Sequence, residues 1–223
     1  MLLGAALSAQ TAQAAVVPTP VALQNATATL SQSGGFNISE TIDGSASAVN
    51  GWAIYDGSGT DPQTAVWETA ADLSASSLTV RLMQVYGNHL LGRFRLSTTT
   101  DDRSTFADGL QNGGDVTAAW TMLESPTVTS IAGMVFTTLV DNSVLVGGTL
   151  PATAVYELTY NVNLVGVTGL RLEGMSDPSL PDDGPGAGNL GGNFVLTRSW
   201  SPPPPFPSPP RCRCWRAGWV CWA

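Results

Sequence analysis

From about residue 21 onward, apolar and polar residues alternate in short runs, and no segment keeps the spacing of an amphipathic helix. Leu78, Val80 and Leu82 alternate with Thr79 and Arg81, and Phe94 and Leu96 with Arg93 and Arg95. Tyr156, Leu158, Tyr160 and Val162 alternate with Glu157, Thr159 and Asn161. A period of two sends one face of a strand to a core and the other to solvent. Further β-type runs fall at 26–30, 51–55, 64–69, 118–123, 134–139, 143–148, 169–173 and 193–197, with Gly, Asn, Asp and Ser clusters between them. About ten short strands with turn signals predict an all-β fold, a two-sheet antiparallel sandwich or jelly roll. A hairpin turn at 86–89 is expected to pair the strands at 77–86 and 91–100. Residues 177–192 are expected to form a long surface loop.

The chain has 223 residues, enough for one such domain, placed at 21–197. Its formal net charge is −8 and every basic residue but the single histidine is arginine, so nucleic acid and anionic membrane surfaces are poor partners. No stretch reaches the ~18 apolar residues of a membrane span. The opening segment has an apolar run from Leu2 to Leu7 and then Ala12-Gln13-Ala14, a small-x-small cleavage pattern. Residues 1–15 therefore read as a signal peptide for export, shortened at its start because no basic region precedes the apolar run. The competing reading is an alanine-rich leader.

Chemistry is sparse. The one histidine, His89, sits in the expected hairpin turn, where a solvated polar residue is the ordinary reading. Acidic residues are spread through loops, and Asp101-Asp102-Arg103 reads as a turn before it reads as an acidic site. No acid–base set converges, so a non-catalytic protein is expected. Aromatic rings on sandwich loops can stack on the apolar face of a sugar, which makes Trp52, Tyr55, Trp67 and Trp120 candidate ligand-binding residues. The alternative for each is the core, where tryptophan is mostly found.

The order of Ile42-Asp43-Gly44, Gly51-Trp52-Ala53 and Gly92-Arg93-Phe94-Arg95-Leu96-Ser97, closed by the run from Thr168 to Thr197, resembles a galactose-binding-like module of the discoidin type. The look-alikes are exported proteins of environmental Gram-negative bacteria. The resemblance covers roughly 24–197 and implies a non-catalytic module binding ligand on loops at one end. It also implies a structural calcium near the Asp-Gly turn, with Asp43 as first ligand. In the related closing motif a glutamate follows the last strand. This chain has Arg198 there, which removes the partner carboxylate.

The tail, 198–223, holds all three cysteines and a proline run, and is expected to be disordered. Cys212, Cys214 and Cys221 match no zinc spacing, and the prolines could form a polyproline ligand or linker. A third reading starts from the codons. Cys and Trp codons begin with TG, so a frame one base earlier turns each into a codon for Leu, Met or Val. Under one choice of codons, 206–215 then reads Val-Pro-Glu-Pro-Ser-Ala-Leu-Ser-Leu-Leu, and a glutamate falls directly after Thr197. A Pro-Glu-Pro box ahead of a Leu/Gly/Ala segment is similar to the PEP-CTERM signal handled by an exosortase. Resequencing the gene decides among the three. The sequence thus predicts an exported protein of the cell envelope or extracellular matrix, with extracellular polysaccharide or cell-surface glycan as partner. A structural matrix protein without ligand, or a polysaccharide-active enzyme, are the alternatives.

Overall fold

A computed structural model describes residues 19–45, 49–57, 60–188 and 191–199. The expected signal peptide and the tail from Trp200 onward lie outside them. The strands are β1 (Leu23–Ala28), β2 (Trp52–Ala53), β3 (Gln63–Gln84), β4 (Leu90–Leu91), β5 (Arg93–Thr99), β6 (Thr121–Met122) and β7 (Thr127–Thr129). They continue with β8 (Met134–Thr138), β9 (Val144–Gly148), β10 (Ala154–Gly174), β11 (Gly186–Ala187), β12 (Val195–Leu196) and β13 (Arg198–Ser199). Helical structure among the described residues is confined to three short 3₁₀ turns, and no helix there is long and apolar enough to cross a membrane.

The main sheet has the order β1-β3-β10-β5-β9-β8, with β13 added to β3, β6 to β5 and β7 to β10. All its pairings are antiparallel. Where short strands were expected at 64–69 and 77–86, the chain makes one strand of 22 residues, and Ala154–Gly174 is likewise one strand of 21. The two pair along their length, with register shifts between Asn161 and Gly169. Those bulges bend the ribbon. Residues 70–72 and Asn161, Asn163 and Val165 stand in solvent at the bend; burial alternates over 78–84 and 154–160 on one side of it, and on the other residues 65–69 and 167–170 are all buried.

Each end of the ribbon has its own neighbours, β1 and β5 at one end and β7 and β13 at the other. Inward side chains of both ends enter one core. Trp67, Leu170, Leu172 and Leu96 come from the first end, and Leu78, Val80, Leu82, Tyr156, Leu158 and Tyr160 from the second. The result is an all-β antiparallel sandwich whose layers are joined by two continuous strands.

Two sequence expectations are corrected. The segment 86–89 does not close a hairpin, because β10 separates β3 from β5: Gly169 stands opposite Glu68 on one side and Thr99 on the other. His89 is half-buried there, with Nδ1 2.8 Å from the Gly87 carbonyl and its ring edge-on to Tyr86. Nor is 177–192 simply a surface loop. Leu180 and residues 184–187 are buried, and β11 pairs with β4. The glycines let this segment approach other backbone closely, as at Gly186. The sheet also runs past the expected boundary at 197, since the backbone of β13 pairs with Met83 and Leu82 whatever side chain stands at 198.

The outer face of β5 and β10 carries an ion network that draws loops onto the sheet. Glu173 stands opposite Arg95 in register, takes two hydrogen bonds from it (2.8 and 3.0 Å) and is also paired with Arg171. Arg93 reaches Asp141 at 2.8 Å and Asp177 at 3.4 Å. Hydrogen bonds from Ser143 to Asp141 and from Ser179 to Asp177, backed by the Arg93 charge, hold both carboxyls below the ordinary aspartate value of 3.8. Groups lowered on folding contribute stability that is complete above the unfolded value and is lost as pH falls through the folded one. The melting temperature should therefore be level down to about pH 5 and drop on further acidification, less steeply in Asp141→Asn. A melting temperature that rises as pH is lowered from 5 to 3 would contradict this assignment.

Candidate functional site, a polar cleft beside the first strand

The first strand breaks its register against β3. Gln24 is opposite Glu68, but the next aligned pair is Thr27 with Val66. The slack is taken up at Asn25, which adopts a left-handed φ of 49°. Asparagine tolerates that conformation better than most residues.

Beyond β5 the chain turns at Asp102, whose carboxylate accepts from the Ser104 amide (2.8 Å) and hydroxyl (2.7 Å). These two bonds hold its pKa down. The turn reading of Asp101-Asp102-Arg103 describes this cap, but it misses Arg103 itself. The loop then runs back along β1, with Gly109 N–H donating to Thr27 Oγ1 (2.7 Å) and Gly113 and Gly114 N–H to the Thr29 and Ala28 carbonyls (2.8 and 3.1 Å). The strap covers an edge that would otherwise be open to pairing.

Phe106 anchors the strap. It is buried with Val66 in a second, smaller cluster, and lies against Gly169, where a β-carbon would collide with its ring. The next residue, Ala107, takes a φ of 60° and donates its N–H to the Asp115 carbonyl (3.0 Å). A left-handed alanine has no local compensation and persists only where its surroundings fix it. Asn25 and Ala107 border the same space.

That space is a cleft of about 530 Å³, open to solvent, lined among others by Gln24, Asn25, Glu68, Arg103, Asp108 and Asp115. Glu68 is only 4% exposed. Its Oε2 accepts from Gln24 Nε2 at 2.8 Å, and among the described residues Glu68 makes no ion pair. Arg103 donates from Nε to the Thr69 carbonyl (2.8 Å) and from Nη2 to Thr69 Oγ1 (3.2 Å), and pairs with Asp72 at 2.9 Å. Asp108 accepts from the Leu110 and Asp115 amides, and Asp115 from Thr117 N–H. Each of these two carboxylates still has acceptor capacity, since a carboxylate offers about four lone-pair sites.

The four expected aromatic residues do not form one platform. Trp52 is fully buried, donates to the Leu30 carbonyl (2.9 Å) and packs edge-on to Phe194. Trp67 is 2% exposed and donates to Thr41 Oγ1 (3.0 Å). Both are core side chains, with no free face for a sugar. Trp120 is half-buried, packs edge-on against Phe106 and has the Arg171 guanidinium 5.2 Å from its ring centroid. Phe106 in turn lines the cleft. Tyr55 is 46% exposed, on the segment after β2.

Asp43 is exposed and accepts from Ser45 N–H (2.6 Å), and the adjacent Gly44 carbonyl accepts from Arg198 (3.3 Å). No group of three or more His, Cys, Asp or Glu side chains comes together among the described residues. Calcium takes six to eight oxygens. One carboxylate, with a guanidinium on the neighbouring carbonyl, does not fit that requirement.

No family model and no curated protein matches this chain. Among solved structures it is similar to the family 32 CBM from C. perfringens NanJ in complex with galactose. That likeness has 15% identity and a TM-score of 0.30, and covers 69% of this chain and 98% of the other. A superposition so loose transfers no residue from one protein to the other.

Proposed function

We propose that the chain is an exported, non-catalytic carbohydrate-binding protein of the cell envelope or matrix, with its glycan site in the cleft beside β1. The observation that carries this reading is the cleft's lining. Amide, guanidinium and carboxylate groups, each planar and with hydrogen-bonding capacity to spare, are the side chains that match pairs of adjacent hydroxyls. Two left-handed residues fix the backbone around them, and such strain gathers at binding sites. A volume of this size is within the range of small-ligand sites. Export rests on the leader pattern at 1–15, and exosortase sorting of an adjacent-frame form rests on the codon argument for the tail.

The reading is tested with Asn25→Gly, which keeps the left-handed backbone at no steric cost while deleting the amide. In a glycan screen followed by calorimetry, wild-type protein should bind at least one saccharide. The variant should bind it about tenfold more weakly, as expected for one lost hydrogen bond that leaves a partner unmatched, with an unchanged melting temperature. Full affinity in the variant would remove the cleft from the site, and release of reducing ends from the bound saccharide would replace binding by hydrolysis.

A further inference from the structure

We infer that the cleft recognises an amino sugar carrying a protonated amine, with Glu68 as the counter-ion of the ammonium. The inference rests on the cleft being the glycan site, and it concerns the class of saccharide. Three carboxylates, Glu68, Asp108 and Asp115, line the cleft against one guanidinium, that of Arg103. Arg103 is already engaged by Asp72 and Thr69. The lining therefore carries surplus negative charge, as does the chain as a whole at −8.

Glu68 makes this specific. It is more than nine-tenths buried and lines the cleft, and among the described residues its one hydrogen bond comes from a neutral amide and no ion pair reaches it. A buried carboxylate without a cation is costly, and the cost is recovered when a positive donor arrives. An ammonium brings three N–H donors, and a charge-assisted bond is roughly twice as strong as a neutral one. A uronate or sulfated saccharide would meet repulsion in the same place. A metal ion is a poor occupant, because no group of three His, Cys, Asp or Glu side chains comes together among the described residues.

The experiment uses the 223-residue chain and three oligosaccharides of matched length, built from glucosamine, N-acetylglucosamine and glucuronate. The glucosamine oligomer should bind about tenfold tighter than its acetylated counterpart, the difference of one charge-assisted bond, and the glucuronate oligomer most weakly. In Glu68→Gln the ratio of amine to acetylated affinity should fall to about one. Equal wild-type affinity for the amine and acetylated forms overturns the inference while leaving glycan binding intact, and this comparison needs no variant to fold. A ratio that survives in Glu68→Gln overturns the role of Glu68. Failure of wild-type protein to bind any saccharide overturns the glycan reading itself.

Discussion

Trp67→Ala should destabilise the protein by about 3–5 kcal/mol, the range for deleting a large buried aromatic. Trp67 is 2% exposed, belongs to the core shared by both ends of the β3–β10 ribbon, and donates its indole N–H to Thr41. The truncation leaves a cavity at the seam between the two layers and strips a donor from a buried hydroxyl, and both effects act in the same direction. Against a typical stability of about 5–15 kcal/mol, the loss is a large fraction of the total. Urea unfolding should show it as a lower midpoint with an unchanged slope. The outcome also separates the two roles open to this residue. A ring stacking on a sugar would lose affinity on truncation with little change in midpoint, and that result would return Trp67 to the binding site.

The fold class was legible because period-two alternation is a local property. Leu78, Val80 and Leu82 face the core as their spacing requires, and so do Tyr156, Leu158 and Tyr160. Strand partners were not legible in the same way. A short turn at 86–89 favours the pairing of its flanks, but strands 63–84 and 93–99 are both claimed by β10, more than 50 residues farther along the chain. Nothing local to 86–89 signals that competition. Burial on both faces misled in a related way. Residues 65–69 are all buried, since the inner face meets the main core and the outer face lies under the Phe106 strap. Trp67 therefore falls inside, although the run 64–69 reads as an ordinary half-exposed strand.

The cleft was hidden for the same reason. Glu68 sits in that run, and its distinction is burial without an ion pair among the described residues, which only the fold creates. The Asp101-Asp102-Arg103 cluster did announce a turn, and the turn exists. One residue on from the cap at Asp102, Arg103 lines the cleft. Asn25 carried the one usable signal. An asparagine inside a run of small strand-forming residues suggests a left-handed bulge, and such bulges re-aim side chains at sites.

The second large effect is expected at Gly186, where alanine should cost about 3 kcal/mol, the upper end for inserting one carbon into a well-packed site. A β-carbon there would collide with the carbonyl group of Asn193 and lie 2.6 Å from the Gly192 oxygen. These are backbone atoms, so no rotamer change relieves the clash and the segment before β12 must move. That displacement is expensive because Asn193 is a hub. Its Oδ1 accepts from the Ile54 and Phe194 amides (3.1 and 2.9 Å), and its Nδ2 donates to Gln32 (2.9 Å). Moving it frees buried donors next to Trp52, whose strand pairs with β12. Gly191→Ala, five residues along the same segment, meets nothing within 4 Å and should stay within about 0.5 kcal/mol of wild type. Hydrogen exchange at Ile54 and Phe194 should quicken in Gly186→Ala and not in Gly191→Ala. Equal exchange in the two variants would mean that Asn193 does not hold the second layer in place, and that 177–192 behaves as the surface loop its composition first suggested.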